Sequence, residues 1–333
     1  MKSVRSIKDG GDWMSAYLYY NEPWDMFLLS AVLPIVEQYN SLNLINRFFF
    51  IRYWERGPHI RLRLKLTGRL NREKIKSNLI EHFTGYYNSN PSIRNERPVQ
   101  SDWRLNNSIY FIDYEPEYER YGGSFGLEKS EEQFELSSKT ILKIFEDNHE
   151  IEYKRKIGLA LKIHIAFAFA IGLTLNEVTY LFEKLFEDGL PNILYPGVVN
   201  INDPEFKKAK SNLVEEIHKL YEIQENQLQV LFETMWGHLS VSGKFEQEWI
   251  DLWVDGTIKI DSEIEKGIGR IQIPAWYLKL YESHVSHLSH KKWYLYRAYI
   301  HMTNNRLGIA NRDEPYLAYI IFQSAQKLLK KYI

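Results

Sequence analysis

The chain has 333 residues, with 42 Lys+Arg against 43 Asp+Glu, and this near-balance excludes a globally basic surface for non-specific nucleic-acid binding. Hydrophobic residues make up 44% and charged residues 26%, a globular rather than a disordered balance, and a 15% aromatic share supplies both core and groove lining. With no Cys, disulfides, thiolate metal sites and cysteine nucleophiles are excluded.

Trp13–Tyr20 is rich in Tyr and reads as a strand, broken at Asn21–Trp24. Trp24–Tyr39 carries apolar residues at helical spacing, with a kink expected at Pro34. Phe48–Tyr53 reads as a buried strand and Trp54–Pro58 as a turn. His59–Leu66 then alternates strictly: His59, Arg61, Arg63 and Lys65 on one face, Ile60, Leu62, Leu64 and Leu66 on the other. An antiparallel hairpin is predicted.

Further on, Arg72–Thr84 predicts a helix, Asn88–Asn95 a loop and Ser108–Tyr114 a strand. The paired glycines Gly122 and Gly123 predict a tight bend. Glu128–Glu146 and Tyr153–Leu173 predict helices, the second buried and too short in its apolar stretch to span a membrane. Thr174 caps a further helix, which Gly189–Pro191 is expected to end. Asp203–Trp236 reads as one long charged helix or two helices, Ser240–Ile273 is expected to be less regular because of its four glycines, and Trp276–Tyr299 is helical. Asn304–Glu314 reads as a loop and Tyr316–Tyr332 as a last helix. Early strands followed by helices predict an α+β fold, an antiparallel sheet from the N-terminal third packed with a mainly helical C-terminal part. One domain over 1–333 is expected, with 200–275 a variable or inserted helical region. The basic start is followed by Asp9-Gly-Gly-Asp12 rather than an apolar segment, so no secretory signal is read and a cytoplasmic location is expected.

Three groups of residues carry chemistry. The segment 47–72 holds Arg47, Arg52, Arg56, Arg61, Arg63, Lys65, Arg69 and Arg72 against Glu55 alone. Arg61 and Arg63 are about 7 Å apart on one strand face, suited to carboxylate or phosphate; the other reading is a solvated sheet face. Glu117, Arg120 and the glycines that follow are either an anion-orienting cluster or a surface ion pair. His301 falls on a helix face with Arg297 and Asn304/Asn305, and is either a proton-transfer group or structural. Two metal-like patterns are set aside. His284, His287 and His290 fan over roughly 120° of a helix, and Asp251–Ser262 has Trp253 and Ser262 where a calcium loop needs ligands. No P-loop, GxGxxG, GxSxG or HExxH motif is present.

In order along the chain, Phe49-Phe-Ile-Arg-Tyr53, Gly57-Pro-His-Ile-Arg-Leu-Arg63, Glu117-Tyr-Glu-Arg-Tyr-Gly-Gly123 and His301-Met-Thr-Asn-Asn-Arg-Leu-Gly308 resemble the C-terminal, glutamate-elimination domain of lanthipeptide dehydratases. That domain also occurs free-standing in thiopeptide-type bacteriocin biosynthesis. Glu131-x-x-Phe134, Ser137-Ser138 and Asp313-Glu314-x-Tyr316 agree as well, and the likeness is weakest over 200–275. The resemblance implies a lyase that removes glutamate from glutamylated Ser or Thr of a ribosomal precursor peptide with a leader, leaving dehydroalanine or dehydrobutyrine. It implies a split system with a separate glutamyl-tRNA-dependent glutamylating enzyme, no direct nucleic-acid contact, and no metal or organic cofactor. By resemblance His301 transfers the proton, while Arg61, Arg63 and Arg120 hold glutamate carboxylates or developing charge. Glu117, Tyr121, His59, Asn305 and Arg306 support them, and the four catalytic residues are expected to converge within about 10 Å, near hydrogen-bonding reach of one ligand. A free-standing relative of another kind, the thiopeptide pyridine synthase that joins two dehydroalanines by a formal [4+2] cycloaddition, is the alternative. A non-enzymatic peptide-binding scaffold is the third.

Overall fold

Trp13–Tyr19 (β1), Ile45–Tyr53 (β2), His59–Leu66 (β3) and Ser108–Phe111 (β4) form one antiparallel sheet of order β2-β3-β1-β4. The computed structural model describes residues 12–68, 71–94, 102–149, 151–194, 203–275, 277 and 290–332. The α+β class and the predicted hairpin are both present. Register follows the pleat. His59, Arg61 and Arg63 stand opposite Tyr19, Tyr17 and Ser15 on β1, and opposite Tyr53, Ile51 and Phe49 on β2. All share the face of β3 that carries the arginines. That face is not solvated, because aromatic side chains from both neighbouring strands close over it: His59 and Arg63 are buried and Arg61 is half-buried.

The helical stretch after β1 is composite: Trp24–Phe27 (α1), a π-helical turn at Leu28–Val32, then Leu33–Ser41 (α2). Pro34 has no N–H to donate and its ring crowds the preceding turn, so the kink appears as a widened turn just before it. His82 Nε2 lies 2.7 Å from the carbonyl of Ala31 in that turn and satisfies it. His82 belongs to Arg72–Ser89 (α3), one turn longer than its apolar pattern suggested.

By contacts the chain divides into two compact units, Met1–Arg120 with Ser137–Ile151, and Tyr121–Leu136 with Glu152–Ile333. Gly123–Asp147 (α4) gives its first half to the second unit and its remainder to the first. In the first unit the other sheet face is apolar. Leu18, Phe50, Leu62 and Leu64 are fully buried, with Phe27, Leu79, Ile141 and Phe145 from the helices. Arg52 is buried among them, bonded to Asp25 at 2.8 Å and lying over Trp24 and Phe145. Losing either partner would leave an uncompensated charge in this core.

The second unit is helical: Tyr153–Ala170 (α5), Leu175–Leu194 (α6), Pro204–Ser242 (α7), Glu248–Lys266 (α8), His290–Leu307 (α9) and Glu314–Lys330 (α10). Thr174 does cap α6, in a reciprocal box with Glu177: the Glu177 N–H donates to Thr174 Oγ1, and the Thr174 N–H to Glu177 Oε2 at 2.8 Å. Asp203 Oδ1 accepts the Glu205 N–H and Pro204 takes the first helical position. At the other end Gly243, at φ 70°, closes α7. One 39-residue helix results, longer than expected and unbroken.

Two expectations built on glycine and proline are corrected. Gly189 and Pro191 do not end α6. A Cβ at Gly189 would lie 2.5 Å from Pro315 of α10, so the glycine serves close helix approach. The stretch 240–273 is not irregular over its middle. Gly256 sits inside α8, where a Cβ would meet Leu136 at 2.5 Å. That continuous helix also confirms that 251–262 is no calcium loop. The supposed loop at 304–314 is shorter than read, since α9 runs to Leu307, Gly308 turns at φ 87°, and α10 starts at Glu314. Most of the helix read at Trp276–Tyr299, with His284 and His287, lies outside the described residues.

Candidate active site

In the first unit, Arg61 is held from several sides. Its guanidinium carbon stands 3.4 Å from the Tyr53 ring centroid and 4.7 Å from that of Tyr17. Nη2 reaches the exposed Glu55 at 3.1 Å, and Nε donates to His59 Nε2 at 3.2 Å. His59 Nδ1 lies 2.8 Å from the Gly57 carbonyl, which can only accept. Nδ1 therefore carries the proton and Nε2 is the bare acceptor for Arg61. Burial, helped by Arg61, Arg63 and Arg94, pushes His59 down to about 4, which keeps that acceptor neutral. His59 thus orients Arg61 and is not itself placed to shuttle protons.

Arg63 is buried. Nη1 donates to Ser15 and Nη2 to Tyr17 at 3.3 Å, Nε has no hydrogen-bond partner, and its carbon lies 5.0 Å from Tyr17 and 5.4 Å from Tyr114. Burial lowers its pKa from the usual value. It braces Tyr17, one wall of the Arg61 slot. Glu117 and Arg120 pair at 3.0 Å, and both are about half-exposed.

In the second unit, Gly122 (φ 75°) and Gly123 (φ 83°) make the predicted bend, and a Cβ at Gly122 would strike Ile271 at 2.8 Å. Tyr121 packs edge-on against Phe134, over which the fully buried Arg306 also lies, 4.8 Å from the ring. Arg306 donates to the Met302 carbonyl at 2.8 Å, and burial pushes it down to about 9. Ser130 and Tyr299 hydroxyls meet at 3.1 Å in the same layer. Tyr121 and Arg306 therefore tie α9 to α4, while Asn305 is half-buried on α9.

His301 lines a cavity of about 180 Å³ between α5, α6, α9 and α10, together with Arg297, Asn304, His164 and Glu314. Its Nδ1 is 3.0 and 3.1 Å from the two Glu314 oxygens. Arg297 pairs with Asp188 at 3.0 Å. The helix-face reading of Arg297, His301 and Asn304 is met; of the asparagine pair it is Asn304 that reaches the cavity. Its Oδ1 is 2.7 Å from Nε2 of the buried His164. Sequence reasoning gave no role to Glu314, Asp188, His164, Tyr17 or Tyr53. Glu314 had a signal, an acid at a helix start shortly after the His301 helix. His164 had none, being one His in an apolar run. Of the expected catalytic set, Arg61, Arg63 and Arg120 belong to the first unit and His301 to the second. Among the described residues no three His, Asp or Glu side chains cluster to hold a metal, and no helix is long and apolar enough to cross a membrane.

Burial pushes His164 down to about 4 from 6.5. An unfolded chain takes up this proton below 6.5 and the folded one only near 4, so stability complete above 6.5 is lost as pH falls through that window. The slope is about 1.4 kcal/mol per pH unit. His164→Gln keeps an N–H for Asn304 but cannot titrate. Urea unfolding at pH 7 and pH 4.5 is expected to show a smaller acid loss in this variant than in the unmutated protein, by about one proton's linkage.

The lantibiotic biosynthesis dehydratase C-terminal family matches residues 13–325. The chain belongs to this family. Over 158 residues it is 27% identical to the epidermin biosynthesis protein EpiB of Staphylococcus epidermidis, covering 45% of this chain and 14% of that protein. Among solved structures it resembles the pyridine synthase TbtD from thiomuracin biosynthesis (TM-score 0.70, 15% identity, 96% of this chain and 99% of that one). TsrL is similar at TM-score 0.64 and 14% identity, covering 96% and 95%. The tRNA-dependent lantibiotic dehydratase MibB of Microbispora sp. 107891 is similar at TM-score 0.57 and 19% identity, covering 99% of this chain and 29% of MibB. The chain thus spans a small part of EpiB and of MibB but nearly all of TbtD and TsrL. At these identities the structural likenesses establish the shared fold alone.

Proposed function

We propose that this chain is the elimination component of a peptide dehydratase, a lyase acting on glutamylated Ser or Thr of a ribosomally made precursor peptide. The observation that carries the reading is His301, oriented by a carboxylate and lining a cavity of amino-acid size. β-Elimination needs a base at a weakly acidic Cα–H and cationic groups for the developing enolate and departing carboxylate. His301 takes the Cα proton, the C–H electron pair becomes the Cα=Cβ bond, and the Cβ–O bond breaks as glutamate leaves as an anion. Arg61 and Arg120 hold glutamyl carboxylate or developing charge. Arg63 keeps Tyr17, and so Arg61, in place, and Glu117 orients Arg120. Glutamylation is assigned to a partner enzyme that uses glutamyl-tRNA, acting on the same leader-bearing peptide.

A second reading, pyridine synthesis from two dehydroalanines, is favoured by the near-complete mutual coverage with TbtD. Mass spectrometry of two incubations separates them. Elimination predicts that a glutamylated peptide loses glutamate and gains a double bond, while a peptide already carrying dehydroalanines is unchanged. Pyridine synthesis predicts the reverse.

A further inference from the structure

The Glu314 carboxylate faces the His301 ring from the first turn of α10, where the helix dipole favours negative charge. Both its oxygens lie within hydrogen-bond reach of Nδ1, and an ionised carboxylate only accepts. The proton of the neutral ring therefore sits on Nδ1, and Nε2 holds the lone pair. The neighbouring polar groups of the cavity have partners of their own, Arg297 with Asp188 and Asn304 with His164. The side chains of His301 and Glu314 are 35% and 22% exposed, so the pair is reachable yet partly dried.

We propose that Glu314 is a positioning residue that selects Nε2 of His301 as the atom taking the Cα proton and stabilises the imidazolium that forms. This rests on the elimination reading. The proton moves from Cα to Nε2, the electron pair forms the double bond, glutamate departs as its carboxylate, and the Nε2 proton then passes to solvent. Glu314 stays ionised throughout and touches no reacting atom, which places it behind the base as an orienting anion.

The test uses the full chain with ring-nitrogen-labelled histidine, the His301 signals being assigned by their loss in His301→Gln. The neutral ring is expected to show a protonated Nδ1 and a bare Nε2. Glu314→Gln, whose amide either accepts from Nδ1 or donates to it, is expected to mix the two tautomers. It should lower kcat for glutamate elimination about 10²-fold with KM within about twofold. Glu314→Asp, which keeps the charge, is expected to restore the Nδ1-protonated tautomer and part of the rate. A protonated Nε2 in the unmutated protein, or an unchanged kcat in Glu314→Gln, overturns the proposal. If the tautomer is as expected but the unmutated protein leaves the glutamylated peptide intact, the dyad stands and the elimination reading falls.

Discussion

His301→Ala is expected to accumulate the glutamylated peptide as an uneliminated mass adduct, with elimination slowed about 10²–10⁴-fold. The reason is local. Of the two imidazoles that line the cavity, His301 has the partly exposed side chain, while His164 is buried with its Nε2 bonded to Asn304. Removing the His301 ring takes away the proposed proton acceptor while the remaining cavity wall, set by α5, α6 and α10, is expected to keep its shape. Because the ring is 35% exposed rather than a core filler, the folded fraction at 25 °C should be unchanged, and thermal unfolding checks this. An unaltered rate on the glutamylated peptide would remove His301 from the mechanism.

Arg61→Ala is expected to act mainly on binding, lowering kcat/KM about 10–10²-fold through a raised KM. A charge-assisted hydrogen bond contributes about 1.5–3 kcal/mol, and Arg61 offers its guanidinium in a fixed plane. The plane comes from Tyr17 and Tyr53 on its faces and from His59 at Nε. Arg61→Lys is not expected to rescue it, because an ammonium neither fills the slot between two rings nor offers a planar fork. Peptide affinity measured with a non-hydrolysable glutamyl analogue checks the assignment: weaker binding in Arg61→Ala, unchanged binding in His301→Ala. Equal affinities in the two variants would place Arg61 outside the anion site.

Strand β3 was legible because its alternation obeys the two-residue period without exception, and the hairpin followed from Gly57-Pro58 between two apolar runs. The environment of its basic face was not legible. Whether Arg63 is solvated or buried depends on which residues of β1 and β2 stand opposite it, and register between distant strands leaves no local mark. The Tyr-rich run at 17–20 supplied the covering rings, yet as a sequence it only indicated a strand. Glycines misled in the opposite sense. Gly189 and Gly256 look like breakers, but their missing Cβ atoms let Pro315 and Leu136 approach, a tertiary cause invisible to local propensity. At the candidate site, His301 and Arg297 were legible from helical spacing, and the ordered motifs named the family. Glu314 carries no local mark of a role, because its contact with His301 depends on how the chain turns after Gly308 to bring the start of α10 to the ring.

The most direct test is to follow a glutamylated precursor peptide in heavy-oxygen water and weigh both products. Elimination breaks the Cβ–O bond, so the released glutamate carries no heavy oxygen and each glutamate lost leaves one dehydroalanine or dehydrobutyrine. The account predicts that outcome, with release and double-bond formation in one-to-one ratio. Glutamate carrying heavy oxygen together with a restored Ser or Thr would mean ester hydrolysis instead, and an unchanged glutamylated peptide would mean no reaction at all; either result contradicts the account.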